Sequence, residues 1–221
     1  MQASTLNVEQ IRRVFRSIAK AMKEKSDELR ILDAACGDGD LGITVTKGFT
    51  AIEKRLDELV GEPPGRLLRT LGITFNNAAA STFGVFFATA CMYAAKSIKE
   101  KDLITVEDLC AMLKSAGDGI ATRGQAKVGD KTILDALVPA QQAAASAAEA
   151  GGTFSEVLAV AATAAKKGAE STRELLPKKG RARWLGEQGK GVLDPGATFV
   201  YMFLDACCDA LKFQSEEQVV P

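Results

Sequence analysis

The sequence predicts an all-α domain, and three observations carry that reading. Alanine, the strongest helix former, occurs 35 times in 221 residues. Aromatic residues make up only 6% and β-branched runs bounded by turns are scarce, so no stretch reads as a sheet. Apolar residues recur at three- and four-residue steps from Val8 onward.

The first helix is expected over Val8 to Leu29, with Val8, Ile11, Phe15, Ile18 and Met22 on one stripe and an Asn7–Gln10 capping box at its start. A second runs from Gly42 to Val60, burying Val45, Phe49, Ile52, Leu56 and Leu59. Pro63-Pro64-Gly65 opens a short third segment through Leu67, Leu68 and Leu71. Ser81 to Ile98 is the most apolar segment and reads as a central helix. Thr105 caps a fifth, with Val106, Leu109 and Leu113 inward. Asp130 is expected to cap a sixth, running through Leu134 and Leu137 to Ala150, where Gly151-Gly152 breaks it. Thr153 and Glu156 form a capping box for a seventh that ends before Pro177. Asp194-Pro195 reads as cap and first position of an eighth helix to Phe213, followed by a frayed polar tail. No composition shift divides the chain, so residues 1–221 are expected to form one domain. The connections Arg30–Leu41 and Leu176–Leu193 stand out; the second lacks periodicity and is long enough to suggest function.

Composition excludes several functions. Basic and acidic side chains balance at 28 each, which argues against a nucleic-acid binder. No histidine is present, so imidazole triads, His-ligated zinc and histidyl adducts are out of reach. Five cysteines without a C-x-x-C pair read as buried free thiols of a cytoplasmic protein. Met1 to Asn7 does not resemble a signal peptide, and the apolar run Gly84–Ala95 is too short to span a bilayer, so no membrane role is expected.

The strongest local signal is Asp33-x4-Asp38-Gly39-Asp40-Leu41-Gly42. Three carboxylates packed this closely repel one another unless they are solvated or share a cation. The glycines allow the backbone to fold the side chains together, and the helix start that follows offers free N–H groups to an anion. Two readings fit: a solvated acidic turn with Asp40 as helix cap, or a site for a magnesium–phosphate pair. Gly37-x-Gly39-x-x-Gly42 mimics a dinucleotide fingerprint, but two variable positions are Asp and no strand precedes it. An EF-hand would need Glu where Phe49 stands.

Gly124 to Thr132 falls one residue short of a P-loop, with Asp130 between Gly129 and Lys131. Gly180-Arg181-Ala182-Arg183-Trp184 sets two guanidinium groups beside the single Trp: a solvated basic loop, a phosphate-neutralising one, or a loop anchored by Trp184 packing. Asn76 to Gly84 carries small side chains that admit either a ligand or close helix packing. Cys207-Cys208 reads as core.

In this order the motifs resemble the nucleotide-binding, DhaL-type subunit of dihydroxyacetone kinase. The match rests on the Asp33–Asp38–Asp40–Gly42 turn, Phe83-Gly84-Val85-Phe86-Phe87, Gly124-x-Ala126-x-x-Gly129-Asp130-Lys131-Thr132, Gly180-Arg181-Ala182 with Leu185-Gly186-Glu187, and Asp194-Pro195-Gly196-Ala197. The resemblance implies a barrel of about eight antiparallel helices with ADP or ATP at one end. It implies that Asp33, Asp38 and Asp40 hold two magnesium ions and that Leu41, Gly42, Ile43 and Thr44 cover the phosphates. Ala79 and Ala80 stand where the family has a Ser-Gly pair on the nucleotide. Gly124 and Ile133 line the adenine, while Arg181 with Asp194, Pro195 and Gly196 closes the site. Three departures mark a divergent member: Leu41 where His is frequent, Thr44 where Asn is common, and Asn76 to Ala80 in place of Gly-Gly-x-Ser-Gly.

The activity so implied is phosphoryl transfer from a magnesium nucleotide to dihydroxyacetone or a similar short ketose, with Arg181 stabilising charge on the transferred group. The ketose would be held by a partner subunit carrying the substrate histidine. The phosphoryl source is either exchanging ATP or a phosphotransferase-system protein that recharges bound ADP. A nucleotide-dependent regulatory module and a fatty-acid-kinase-like domain are the alternatives; the second expects a long C-terminal extension, and this sequence stops at Pro221.

Overall fold

The computed structural model describes residues 5–217. It holds nine α-helices among the described residues: α1 (Val8–Glu24), α2 (Ser26–Ala34), α3 (Leu41–Leu56), α4 (Pro64–Ala78), α5 (Thr82–Ile98), α6 (Val106–Gly124), α7 (Leu134–Glu149), α8 (Phe154–Ser171) and α9 (Pro195–Glu217). Helix α1 packs on α3, each helix from α3 to α8 packs on the next, and α9 returns to α1, closing a ring of eight with α2 as a short flap across α1, α3 and α9. Mostly short connections favour antiparallel neighbours, and closing the ring buries the stripes of α1, α3 and α4, while Val106, Leu109 and Leu113 of α6 are only partly buried. A two-residue antiparallel pair, β1 (Leu6–Asn7) with β2 (Leu103–Ile104), which the sequence did not suggest, ties the start of α1 to the start of α6. No described helix is long and apolar enough to cross a membrane.

The caps follow local chemistry. Asn7–Gln10, Thr105–Asp108 and Thr153–Glu156 form reciprocal capping boxes. Pro195 opens α9 behind Asp194, whose Oδ2 accepts from Ala197 N at 2.7 Å. Four elements depart from expectation. The first helix breaks at Lys25, and α2 begins at the next residue with only Leu29 buried. Leu29 lies one heptad beyond Met22, so the sequence pattern stays in phase across the break. Helix α4 is a full helix rather than a short one, since Phe75 extends the stripe of Leu71. Asp130 does not cap α7, which starts four residues later; its carboxylate accepts from Lys127 N at 3.1 Å instead. Helix α9 continues past Phe213 to Glu217, and the tail beyond residue 217 lies outside the described residues.

Phenylalanines fill one part of the ring. Phe49 is fully buried, with the Phe75, Phe87, Phe199 and Phe203 rings centred 5.3, 5.7, 6.3 and 6.5 Å away. The ring also holds a partly open apolar cavity of about 220 Å³, bordered by Phe15, Phe86, Met112, Phe154, Phe203 and Cys207 among others. Cys208 is buried and Cys207 partly so, in line with the core reading of that pair.

Candidate functional site

The acidic turn links α2 to α3. Asp33 sits in the last turn of α2 and reaches across, its Oδ2 accepting from Leu41 N, the first residue of α3, at 3.1 Å. Gly37 lies against Asp33: a Cβ there would lie 2.6 Å from Asp33 Oδ1, so a side chain would displace that carboxylate. Gly39 takes φ +73°, a conformation that suits glycine and turns the chain back. Asp40 precedes α3 but its side chain makes no cap hydrogen bond, so its carboxylate is left for other work. Asp33, Asp38 and Asp40 each offer an oxygen, and these oxygens lie within 4.8 Å of one another; Asp33 is half-buried and the other two are exposed. Gly42 seats α3 tightly on α2, where a Cβ would strike the Ser26 carbonyl and come within 2.7 Å of Arg30 Cβ. Leu41 and Thr44 are buried and Ile43 is exposed, so the first turn of α3 presents mainly backbone beside the carboxylates.

A second segment closes over this turn. Residues 172–194 carry 3₁₀ turns at Thr172–Glu174 and over Arg181–Gly189, the second region kinked at Gly186, φ +52°. From the second, Arg181 pairs with Asp38. Trp184 does not anchor the loop: it is 79% exposed, and its neighbour Arg183 lies over its ring at 4.5 Å. Part of Asp194 reaches the surface, yet its carboxyl is enclosed by protein; burial pushes it up to about 7, opposed by N–H bonds from Ala197 and Gly196 and by the Lys131 charge, and reinforced by Asp135. The Cys36 thiol rises to about 11, chiefly by burial, then by the charges of Asp194 and Asp33. The Cys36 thiol thus senses both Asp194, at the end of the 172–194 segment, and Asp33 of the acidic turn.

The remaining residues expected at the site have the following surroundings. Ala79 ends α4 and is buried, while Ala80 is exposed. The Asn76 side-chain oxygen, close to Gly84, is buried without a hydrogen-bond partner. Gly124 ends α6 against the Phe86 ring. Ile133 packs on Gly196, whose Cβ position lies 2.6 Å from Ile133 Cγ1, and it borders the inner cavity. Sequence reasoning missed the use of Lys131. It is no phosphate lysine: it is 3% exposed, and its ammonium donates to the carbonyls of Thr172, Leu175, Gly189 and Val192. The near-P-loop pattern singled out the right residues for a different purpose.

An oxygen-only donor set of three carboxylates suits a hard divalent cation such as magnesium. With a helix N-terminus and a guanidinium beside it, the arrangement is built to receive a cation together with a polyanion.

Comparison with known proteins bears on that chemistry. The family profile described as DAK2 domain matches residues 35–209. The PEP-dependent dihydroxyacetone kinase, ADP-binding subunit DhaL, of Escherichia coli is 31% identical over 188 residues, covering 85% of this chain and 90% of its own. The L-erythrulose kinase of Pectobacterium atrosepticum is 33% identical over 187 residues, covering 84% of this chain but only 32% of its own. In fold, the chain resembles the dihydroxyacetone kinase of C. freundii solved with AMP-PNP and Mg2+, with a TM-score of 0.69 at 24% identity over 90% of this chain and 33% of that one.

Proposed function

The chain belongs to the DAK2-domain family, and on that premise we propose that it is the nucleotide-binding phosphotransferase subunit of a kinase for dihydroxyacetone or a similar short ketose such as erythrulose. The observation that carries this reading is the meeting of three carboxylate oxygens within 4.8 Å beside the start of α3. Asp33, Asp38 and Asp40 would hold two Mg2+, which when bound neutralise phosphate charge. Backbone N–H groups of Leu41 to Thr44 receive phosphate oxygens. Ala79, Ala80, Gly124, Ile133 and Asp194 to Gly196 border the nucleoside, and Arg181 offers its guanidinium to charge on the transferred group. The chain has no imidazole with which to hold a ketone. In line with the dihydroxyacetone kinase resemblance, the acceptor is presented by a partner subunit bearing a histidine, and its hydroxyl oxygen takes the phosphoryl group as the bond to the nucleotide oxygen breaks. That the Escherichia coli relative is a PEP-dependent, ADP-binding subunit favours ADP recharged in place by a phosphotransferase-system protein over exchanging ATP.

Calorimetric titration tests the assignment. Wild-type chain is expected to bind ADP only with magnesium present, and Asp38→Asn to stay folded while losing at least about tenfold in affinity, the loss of one charged ligand. Unchanged binding by the variant would sink the metal assignment.

A further inference from the structure

We propose that Lys131 is a positioning residue whose buried ammonium draws the 172–192 segment shut and thereby sets how slowly bound nucleotide leaves. The inference rests on the nucleotide-binding reading above. Lys131 Nζ lies 2.8 Å from Thr172 O, 2.7 Å from Gly189 O, 2.7 Å from Val192 O and 3.3 Å from Leu175 O. An ammonium has three N–H donors, so the fourth and longest contact is a shared one. Two of these carbonyls open the segment and two close it. One side chain therefore gathers both ends and leaves the middle, with Arg181 and Trp184, as a projecting tip. Arg181 of that tip pairs with Asp38.

The surroundings are arranged to serve this contact. Lys131 adopts φ +60°, uncommon for a residue with a side chain. Asp135 holds the turn that forces it, accepting from Gly129 N at 2.6 Å and Thr132 N at 2.7 Å. Outer stitches run parallel: Lys178 N donates to Asp130 O at 3.1 Å, Lys178 Nζ donates to Gly129 O at 2.9 Å, and Arg173 and Gly191 exchange bonds at 2.9 Å. The segment contains no α-helix or strand of its own. Its ordering entropy is thus met before nucleotide arrives, and such preorganisation appears mainly as slow dissociation.

The test uses the whole chain, Mg2+ and a fluorescent N-methylanthraniloyl-ADP. Stopped-flow release is measured for wild type and Lys131→Met, and far-UV circular dichroism reports folding. Trp184 is the single tryptophan and lies in the tip, so its anisotropy without nucleotide reads segment order directly. Lys131→Met is expected to keep its helicity, lower the Trp184 anisotropy and speed release by about tenfold or more, through loss of charge-assisted bonds. A folded variant with wild-type anisotropy and release overturns the inference. If Lys131→Met does not fold, Lys178→Ala decides: its side chain is exposed, and release faster by about threefold supports the clamp while an unchanged rate overturns it. Wild type that fails to bind the probe would count against the nucleotide reading, while Trp184 anisotropy would still decide the clamp.

Discussion

Arg181 forms an ion pair with Asp38, joining the 3₁₀ turn of the 172–194 segment to the acidic turn before α3. Both partners are largely solvent-exposed, so the pair adds little to stability. Its consequence is positional: it sets a guanidinium beside the carboxylates that would carry the cation. Arg181→Ala is expected to leave the melting temperature nearly unchanged, to alter nucleotide affinity only slightly, and to lower kcat on the order of 10³-fold. A coupled assay with the ketose-bearing partner separates these effects. A variant that keeps kcat while losing nucleotide affinity would reassign Arg181 from transfer to binding.

Gly42 fixes the spacing of the acidic turn by seating α3 on α2. Gly42→Ala forces a methyl against the Ser26 carbonyl and Arg30, so the start of α3 must move away from Asp33. The expected cost is about 1–3 kcal/mol, read from urea unfolding. Magnesium-dependent ADP binding should weaken as well. Full binding alongside the lowered stability would mean that the turn moves as a rigid unit.

Phe49 tests the core independently of the site. Truncation to Ala removes a fully buried ring at the centre of four others, with an expected loss of about 3–5 kcal/mol. A loss below about 1 kcal/mol would show that the aromatic cluster relaxes into the neighbouring cavity.

Asp194 links stability to pH. Its carboxyl is raised to about 7, mainly by burial. Between the ordinary carboxylate range and that value the folded chain holds a proton that the unfolded chain releases. The stabilising contribution is therefore complete in acid and is lost as pH rises through about 7. Asp194→Asn resembles the protonated form. Thermal melts of the metal-free chains should show a gap in favour of the variant that widens from pH 5 to pH 8. A gap that does not vary with pH would place the proton elsewhere.

Much of the fold was legible because it is written in short-range patterns. The capping boxes at Asn7 and Thr153, the Pro195 start and the stripe through Val45, Phe49 and Ile52 depend only on residues within a turn or two of each other. The acidic turn was legible for the same reason, since Asp33, Asp38 and Asp40 are brought together by one turn and two nearby glycines. The misreadings escape that logic. Lys25 breaks a helix whose apolar pattern stays in phase across it, and Asp130 gives up the α7 cap for a turn bond from Lys127 N while its carbonyl meets Lys178 N from a segment distant in sequence.

The sequence by itself determined most of the helices, the capping boxes at Asn7 and Thr153 and the three clustered carboxylates, because these arise from contacts between near neighbours along the chain. The tertiary structure alone decided that eight helices close into a ring, that Arg181 reaches Asp38, and that Lys131 turns inward to four carbonyls instead of outward to a phosphate. Those outcomes depend on which surfaces meet after folding. A buried ammonium takes whatever acceptors the surrounding loops deliver, and periodicity carries no record of them.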